Sequence, residues 1–334
     1  NTASGFAALF QNTTGTSNVA IGKGSLDQNT TGSNNSSVGT NSLNLNTTGG
    51  QNAAVGAYSL DANTTASNNT GMGYATLSAN TTGAYNTAVG RDALGSNTTG
   101  TENSAVGSQS LDANTTGNYN SSIGHNSLSA NTTASHNSAI GYNALAANST
   151  GATNTALGST ALDANTTAAN NTAVGYTSLG TNTTGTSNVA VGAYCLDANT
   201  TGSSNVALGQ AALGGQTTGT NNTALGNTAG YTNTASSYNT FIGNAAGYNA
   251  NGTGATQLVY VGHNSGHLTT TATINTAVGN QTLYSNTTGS TNSAFGFNAL
   301  QATTTGAENT AVGAYALDAC TTGTNNVAVG RHAL

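Results

Sequence analysis

Residues 80–96 read NTTGAYNTAVGRDALGS, and the whole chain is that phrase with variations. With the first Asn as position 1, position 11 is Gly90. The same glycine recurs every 17 residues from Gly5 through Gly22, Gly39 and Gly56 to Gly243. It returns at Gly262 after a two-residue insertion and runs on to Gly330, making twenty repeats. Position 10 is apolar in nineteen repeats (Ser4 is the exception), position 15 is Leu in seventeen, and position 7 is Asn in nineteen, broken by Leu258. A 17-residue period is too short for a helix pair, which needs roughly 33 residues or more. Thr-Ala-Val suits a strand; Asn-Thr-Thr-Gly and the Asp-Ala before it suit turns. The pattern predicts an all-β fold: a parallel β-solenoid of about twenty 17-residue coils, each with two short strands and two turns. At the ~4.8 Å spacing of paired strands, the stack would be a rod on the order of 90 Å long. Residues 1–249 read as regular repeats, 250–285 as irregular repeats carrying the insertion, and 286–334 as regular again, in one continuous solenoid.

Composition narrows the classes. Charged residues are 4% of the 334, against roughly 25% in ordinary soluble domains. Solubility must come from amides and hydroxyls. Polar low-complexity sequence can mean disorder, but disorder needs no period. The net charge is −6, and the bases are Lys23, Arg91 and Arg331 alone. Neutralising a phosphate backbone takes several Lys or Arg contacts, so nucleic acid is not an expected partner. A membrane span needs about 20 continuous apolar residues, and the sequence has no such run. No cofactor is expected. The chain begins at position 7 and stops at position 15, in mid-repeat, so the expectation is a natural protein that continues beyond it or ends that stack on neighbours.

Side-chain parity assigns the faces. In an extended segment, positions 9 and 11 point opposite to position 10. The sequence reading places the valines of position 10, with the leucines of position 15, inside. It leaves a stripe of Ala at 9 (Ala20, Ala54, Ala88) and Gly at 11 for close approach by a neighbouring rod. Two apolar side chains per coil fall well short of offsetting the ordering of 17 residues. Coil-to-coil ladders and a second covered face are therefore expected, with three chains side by side. Stacked Asn at position 7 would form an amide ladder. Two coils show an exchange: position 9 becomes Phe241 and Tyr260 where position 15 becomes Gly247 and Gly266. Conserved volume suggests that positions 9 and 15 share one packed space, although Gly230 has no such partner at Ala224.

Residues 86–90, 171–175 and 275–279 read Asn-Thr-Ala-Val-Gly, and 188–192 and 326–330 read Asn-Val-Ala-Val-Gly. These phrases resemble the Asn-Ser-Val-Ala-Ile-Gly repeats in the heads of YadA-type trimeric autotransporter adhesins. They are more similar still to repeats of phage and bacterial tail-fibre-like proteins, where Asn-Thr-Ala-Val-Gly-x-x-Ala-Leu is followed by Asn-Thr-Thr-Gly. The resemblance covers essentially the whole chain. It implies a trimeric, left-handed parallel β-roll used for reach and attachment, extracellular, on a virion fibre or a cell surface.

Little in the sequence supports catalysis. Six of the nine acids occupy position 16 (Asp27, Asp61, Asp112, Asp163, Asp197 and Asp318), none in adjacent coils, whereas a paired-carboxylate site needs two within several ångströms. No metal site is expected: His125, His136, His263, His267 and His332 are scattered and read as surface residues. Cys195 and Cys320 lie about seven coils apart, too far for one disulfide within a straight stack. Exposed aromatics can anchor contacts. The candidate surface-binding residues are Tyr58, Tyr74, Tyr142, Tyr176, Tyr194, Tyr231, Tyr248 and Tyr315, with the segment from Tyr231 to His267 the most specialised. Thirteen position-1 asparagines also head an Asn-x-Ser/Thr sequon, the formal acceptor of an N-linked glycan: Asn12, Asn29, Asn46, Asn63, Asn80, Asn97, Asn114, Asn131, Asn148, Asn165, Asn182, Asn199 and Asn286. The functional expectation is a non-enzymatic structural or adhesive fibre segment. Its partners would be copies of itself, as a homotrimer or end-to-end filament, and a host-surface glycan or receptor. The alternative is a repetitive surface binder of ice or polysaccharide that uses the Thr and Asn ladders.

Overall fold

The structure, a computed structural model, describes residues 1–251 and 254–334. These form two compact units, Asn1–Ala169 and Asn170–Leu334. Each unit is a parallel β-solenoid with ten three-residue strands among the described residues. They run from Thr2–Ser4 to Thr155–Leu157 in the first unit and from Thr172–Val174 to Val327–Val329 in the second. Every strand occupies positions 8–10 of its repeat. Neighbouring coils pair in identical register, with Thr87 opposite Ser104, Ala88 opposite Ala105 and Val89 opposite Val106. Among the described residues no helix is long and apolar enough to cross a membrane. The 17-residue register holds to Asn251, whose carbonyl accepts from Thr234 Oγ1 (3.1 Å), and resumes at Ala255, whose carbonyl accepts from Asn239 Nδ2 (2.9 Å). The two-residue insertion lies between these points, and Gly252 and Thr253 are outside the described residues.

Each coil carries one strand, where the sequence reading expected two. The cause is backbone handedness on the far wall. Positions 13 and 15 sit in the left-handed region, as at Asp92 (φ 57°) and Leu94 (φ 51°), so the wall curls instead of extending. Coil-to-coil hydrogen bonds persist through it. Asp92 N–H donates to Tyr74 O (3.0 Å), Leu94 N–H to Ser110 O (3.1 Å) and Thr98 N–H to Thr115 O (2.9 Å). A left-handed non-glycine residue costs roughly 1–2 kcal/mol, which these bonds and the burial of Leu must offset. The period-setting glycine has a separate reason. Gly90 has φ 125°, and a Cβ there would stand 2.6 Å from the carbonyl carbon and oxygen of Gly107 in the next coil.

The faces are the reverse of the sequence assignment. Ala at position 9 (Ala20, Ala54, Ala88) is fully buried, while position 10 points outward, with Ile21 at 42% and Met72 at 46% exposure. Parity was right; the side was wrong. The leucines of position 15 (Leu60, Leu94, Leu162) enter from the opposite wall and fill the narrow interior, so only a small residue fits across from them: Ala in most coils, Ser37, Ser122 or Gly71 in others. The Ala stripe is therefore core lining and not a lateral contact surface, and the half-buried Gly at position 11 is pressed against the next coil. The shared space of positions 9 and 15 is present: a Cβ on Gly247 would run into the Phe241 ring, and one on Gly266 into the Tyr260 ring. Gly230 is compensated after all, from the next coil, because Phe241 Cδ2 lies 2.6 Å from where its Cβ would be.

Asparagines line the rest of the interior in two ladders. At position 1, Asn97 Nδ2 donates to Asn80 Oδ1 (2.8 Å) and to Gly100 O (3.0 Å). At position 7, Asn103 backbone N–H donates to Asn86 Oδ1 (3.0 Å), and Asn103 Nδ2 donates to Gly117 O (2.8 Å). The expected ladder at position 7 is thus mainly side chain to backbone. Amide-to-amide bonds do occur there, as from Asn103 Nδ2 to Asn86 Oδ1 (3.2 Å), and position 1 carries a second amide ladder that the sequence reading did not name.

Candidate functional site

The coil exterior carries three regular features. The first is the position-10 column. In the first unit it includes Val55, Val106, Ile123, Ile140 and Leu157, and in the second Leu208, Leu225, Phe295 and Val312, all exposed. The row of neighbours at position 8 is mostly Thr, Ser or Val, with Val189 and Val206 exposed. Each unit therefore presents a sheet face with an apolar line along it. Sequence reasoning missed this surface because it sent these side chains inside.

The second feature is a row of threonines. Thr31, Thr48, Thr65, Thr82 and Thr99 at position 3 are exposed. Their neighbours at position 2 are tied down: Thr30 Oγ1 donates to Thr47 O (3.0 Å) and Thr98 Oγ1 to Thr115 O (2.9 Å).

The third is aromatic. Of the sequence candidates, Tyr58, Tyr74, Tyr142, Tyr176, Tyr194 and Tyr231 are exposed, and Tyr248 and Tyr315 half-buried. Most meet another ring one coil away. Tyr58 contacts Tyr74 edge-on (5.9 Å between centroids), Tyr176 contacts Tyr194 edge-on (5.3 Å), and Tyr142 stacks on His125 (5.8 Å). The longest run lies at position 16 of the second unit. Tyr231, Tyr248, His267 and Tyr284 stack in order, with centroids 5.4, 5.1 and 5.2 Å apart and interplanar angles of 23°, 19° and 2°. Sequence reading named the first two of these and set the third aside as a surface histidine. The signal was available: aromatic rings at one repeat position, 17, 19 and 17 residues apart, the 19 reflecting the insertion. The coils of Tyr231, Tyr248 and His267 carry Gly at position 15, and the latter two hold aromatic rings inside, Phe241 and Tyr260, at 5.9 Å.

The remaining candidates are scattered along the chain. Among the described residues no group of three or more His, Cys, Asp or Glu is gathered. The one ion pair among them is Arg91 with its neighbour Asp92 (3.3 Å). Both cysteines are free thiols. Cys195 fills buried position 14, where burial pushes its thiol up to about 12, far from the thiolate form that reacts. Tyr260 is buried, its phenol pushed up by desolvation and bonded to Thr269 Oγ1 (3.0 Å). Asp61, Asp112, Asp163 and Asp197 are raised, first by desolvation. The side chains of twelve of the thirteen sequon asparagines are wholly buried, Asn12 being the exception. Their carboxamides lie in or beside the position-1 ladder, so a glycan on Asn29 or Asn97 has no route to solvent in the folded coil. The sequons are turn and ladder chemistry. No family model matches the chain, and no curated protein matches it.

Proposed function

We propose that the chain is a non-enzymatic fibre segment, extracellular and adhesive, whose copies associate side by side as a homotrimer. The observation that carries this reading is the exposed apolar column at position 10. It runs along nine strands of the first unit and all ten of the second, about 40–45 Å in each at the usual strand spacing. A monomer rarely leaves so long a continuous apolar line in water, and such patches mark association surfaces. A partner that covers the line must match its pitch coil for coil, and a second copy of the same solenoid does. The resemblance to trimeric adhesin heads and tail-fibre repeats favours three copies. The test is solution mass by light scattering at micromolar concentration. The intact chain is expected at three times its monomer mass. The variant Val106→Asn, Ile123→Asn, Ile140→Asn should fall toward the monomer with its far-ultraviolet circular dichroism unchanged. A wild-type chain that stays monomeric would sink the proposal.

The exposed threonine row favours a second reading, in which one hydroxyl per coil offers a regular array to ice or to a crystalline polysaccharide. Thermal hysteresis from a monomeric chain would support it over the fibre.

A further inference from the structure

We infer that the ring column Tyr231–Tyr248–His267–Tyr284 is a docking strip for an extended β-1,4-linked glycan lying along the solenoid axis. The reasoning begins with spacing. The rings repeat at 5.1–5.4 Å, longer than face-to-face contact, so they are offset and each leaves a margin on the outer surface. Tyr231 is 37% exposed and the other three are half-buried. What reaches solvent is a line of ring margins with one polar tip per coil: three phenol hydroxyls and one imidazole.

A ligand that meets such a line several times must share its repeat. An extended polypeptide advances about 3.3 Å per residue and shows one face every second residue, so it falls out of phase within two coils. A polyanion is disfavoured by charge: the net charge is −6, and the three bases, Lys23, Arg91 and Arg331, all lie outside residues 231–284. A sugar in an extended β-1,4-linked chain advances by about one ring spacing of this column, and although successive sugars turn over, both faces of each carry C–H groups, so every ring meets an equivalent unit. Each sugar offers hydroxyl oxygens at its edges, which suit the positive margin of a ring and the polar tip beside it. Four rings can meet four consecutive sugars, and contacts made in register on one chain add up as multivalent binding.

The ends of the column fit the same ligand. Beyond Tyr284, position 16 of the next coil is Gln301, whose Nε2 donates to Gln281 Oε1 (3.3 Å). This amide pair continues the strip with the donors and acceptors that orient a sugar hydroxyl. At the other end, the Tyr231 ring lies over Gly214, whose Cβ, if present, would stand 3.1 Å from Tyr231 Cε2. The strip at position 16 is separate from the position-10 column, so this inference does not depend on the oligomeric state.

The experiment is co-sedimentation of the intact chain with cellulose and chitin, with competition by the soluble hexaoses and with helical amylose as the control. Wild type is expected to be depleted by cellulose or chitin and not by amylose. Tyr231→Leu, Tyr248→Leu, Tyr284→Leu together should weaken binding at least tenfold. The variant Val106→Asn, Ile123→Asn, Ile140→Asn should bind as wild type, which separates this strip from the lateral surface. If the Leu variant does not fold, the matching Tyr→Phe variant carries the test: it keeps the rings, removes three hydroxyls and should bind several-fold more weakly. Absence of wild-type binding to both polymers would overturn the inference. So would a folded Leu variant, or the Phe variant in its place, that binds as tightly as wild type.

Discussion

At the scale of the residue, the interior depends on repetition of one side chain, and an interruption can leave buried polar atoms unpaired. The position-1 ladder runs Asn182, Asn199, Gln216, Asn233 in the second unit. Gln216 is one methylene too long for the ladder. Its Nε2 bonds to Gly219 O (2.7 Å) and its Oε1 accepts from Asn222 Nδ2 (3.1 Å). The consequence falls on both neighbours: Asn199 Oδ1 and Asn233 Nδ2 are buried with no hydrogen-bond partner. An unsatisfied buried group costs about 1–3 kcal/mol. Gln216→Asn would give Asn199 Oδ1 a donor and Asn233 Nδ2 an acceptor. It is expected to raise stability by about 1 kcal/mol or more, read as an upward shift of the denaturant midpoint at unchanged slope. A variant less stable than wild type would mean that the ladder does not set the conformation of this wall.

At the scale of the coil, stability is a matter of filling one narrow cross-section from two sides. Ala at 9 faces Leu at 15; Phe241 faces Gly247 and also reaches over Gly230. Removing the ring by Phe241→Ala should cost about 3–5 kcal/mol, as for other buried aromatics. Gly247→Leu alone should clash with that ring. The double variant restores the common Ala and Leu pairing, leaving only the gap over Gly230. It should be more stable than the sum of the two losses by roughly 0.5–3 kcal/mol, measured in a double-mutant cycle by chemical denaturation; simple additivity would refute the shared space. This exchange also shows how much of the fold the sequence disclosed. Period, coil count, strand position and register were legible because Gly at 11 cannot be replaced without striking the next coil. The pairing of positions 9 and 15 was legible because a gain of volume at one matched a loss at the other. Which face of the strand looked inward was not legible from hydrophobicity: Val is more apolar than Ala, and the narrow interior, set by Leu from the far wall, overrode that ranking. The missing second strand was hidden because Leu in a left-handed conformation carries no sequence signal of its own. The aromatic column was half-seen, because the insertion breaks its spacing between Tyr248 and His267.

At the scale of the whole chain, charge is so sparse that a few carboxylates govern the response to pH. Asp61, Asp112, Asp163 and Asp197 share position 16, half-buried, and desolvation raises each above the ordinary carboxylate value of about 3.9. Asp61 and Asp112 each have a buried Oδ1 without a donor, and the charge of Asp92 raises Asp112 further. In the window between the unfolded value and the raised native value, the folded chain holds more protons than the unfolded one. Stability must then fall as pH rises through that window, and it is recovered as pH falls through the native value, fully so below the unfolded one. This is the reverse of the usual acid denaturation, in which paired carboxylates lose their partners. The melting temperature is therefore expected to be higher at about pH 3.5 than at neutral pH. Replacing the four aspartates by asparagine should raise the neutral melting temperature and flatten the pH profile. Calorimetric scans across this range check both outcomes, and a melting temperature that drops steadily on acidification would show that the position-16 carboxylates are better solvated in the folded chain than their burial implies.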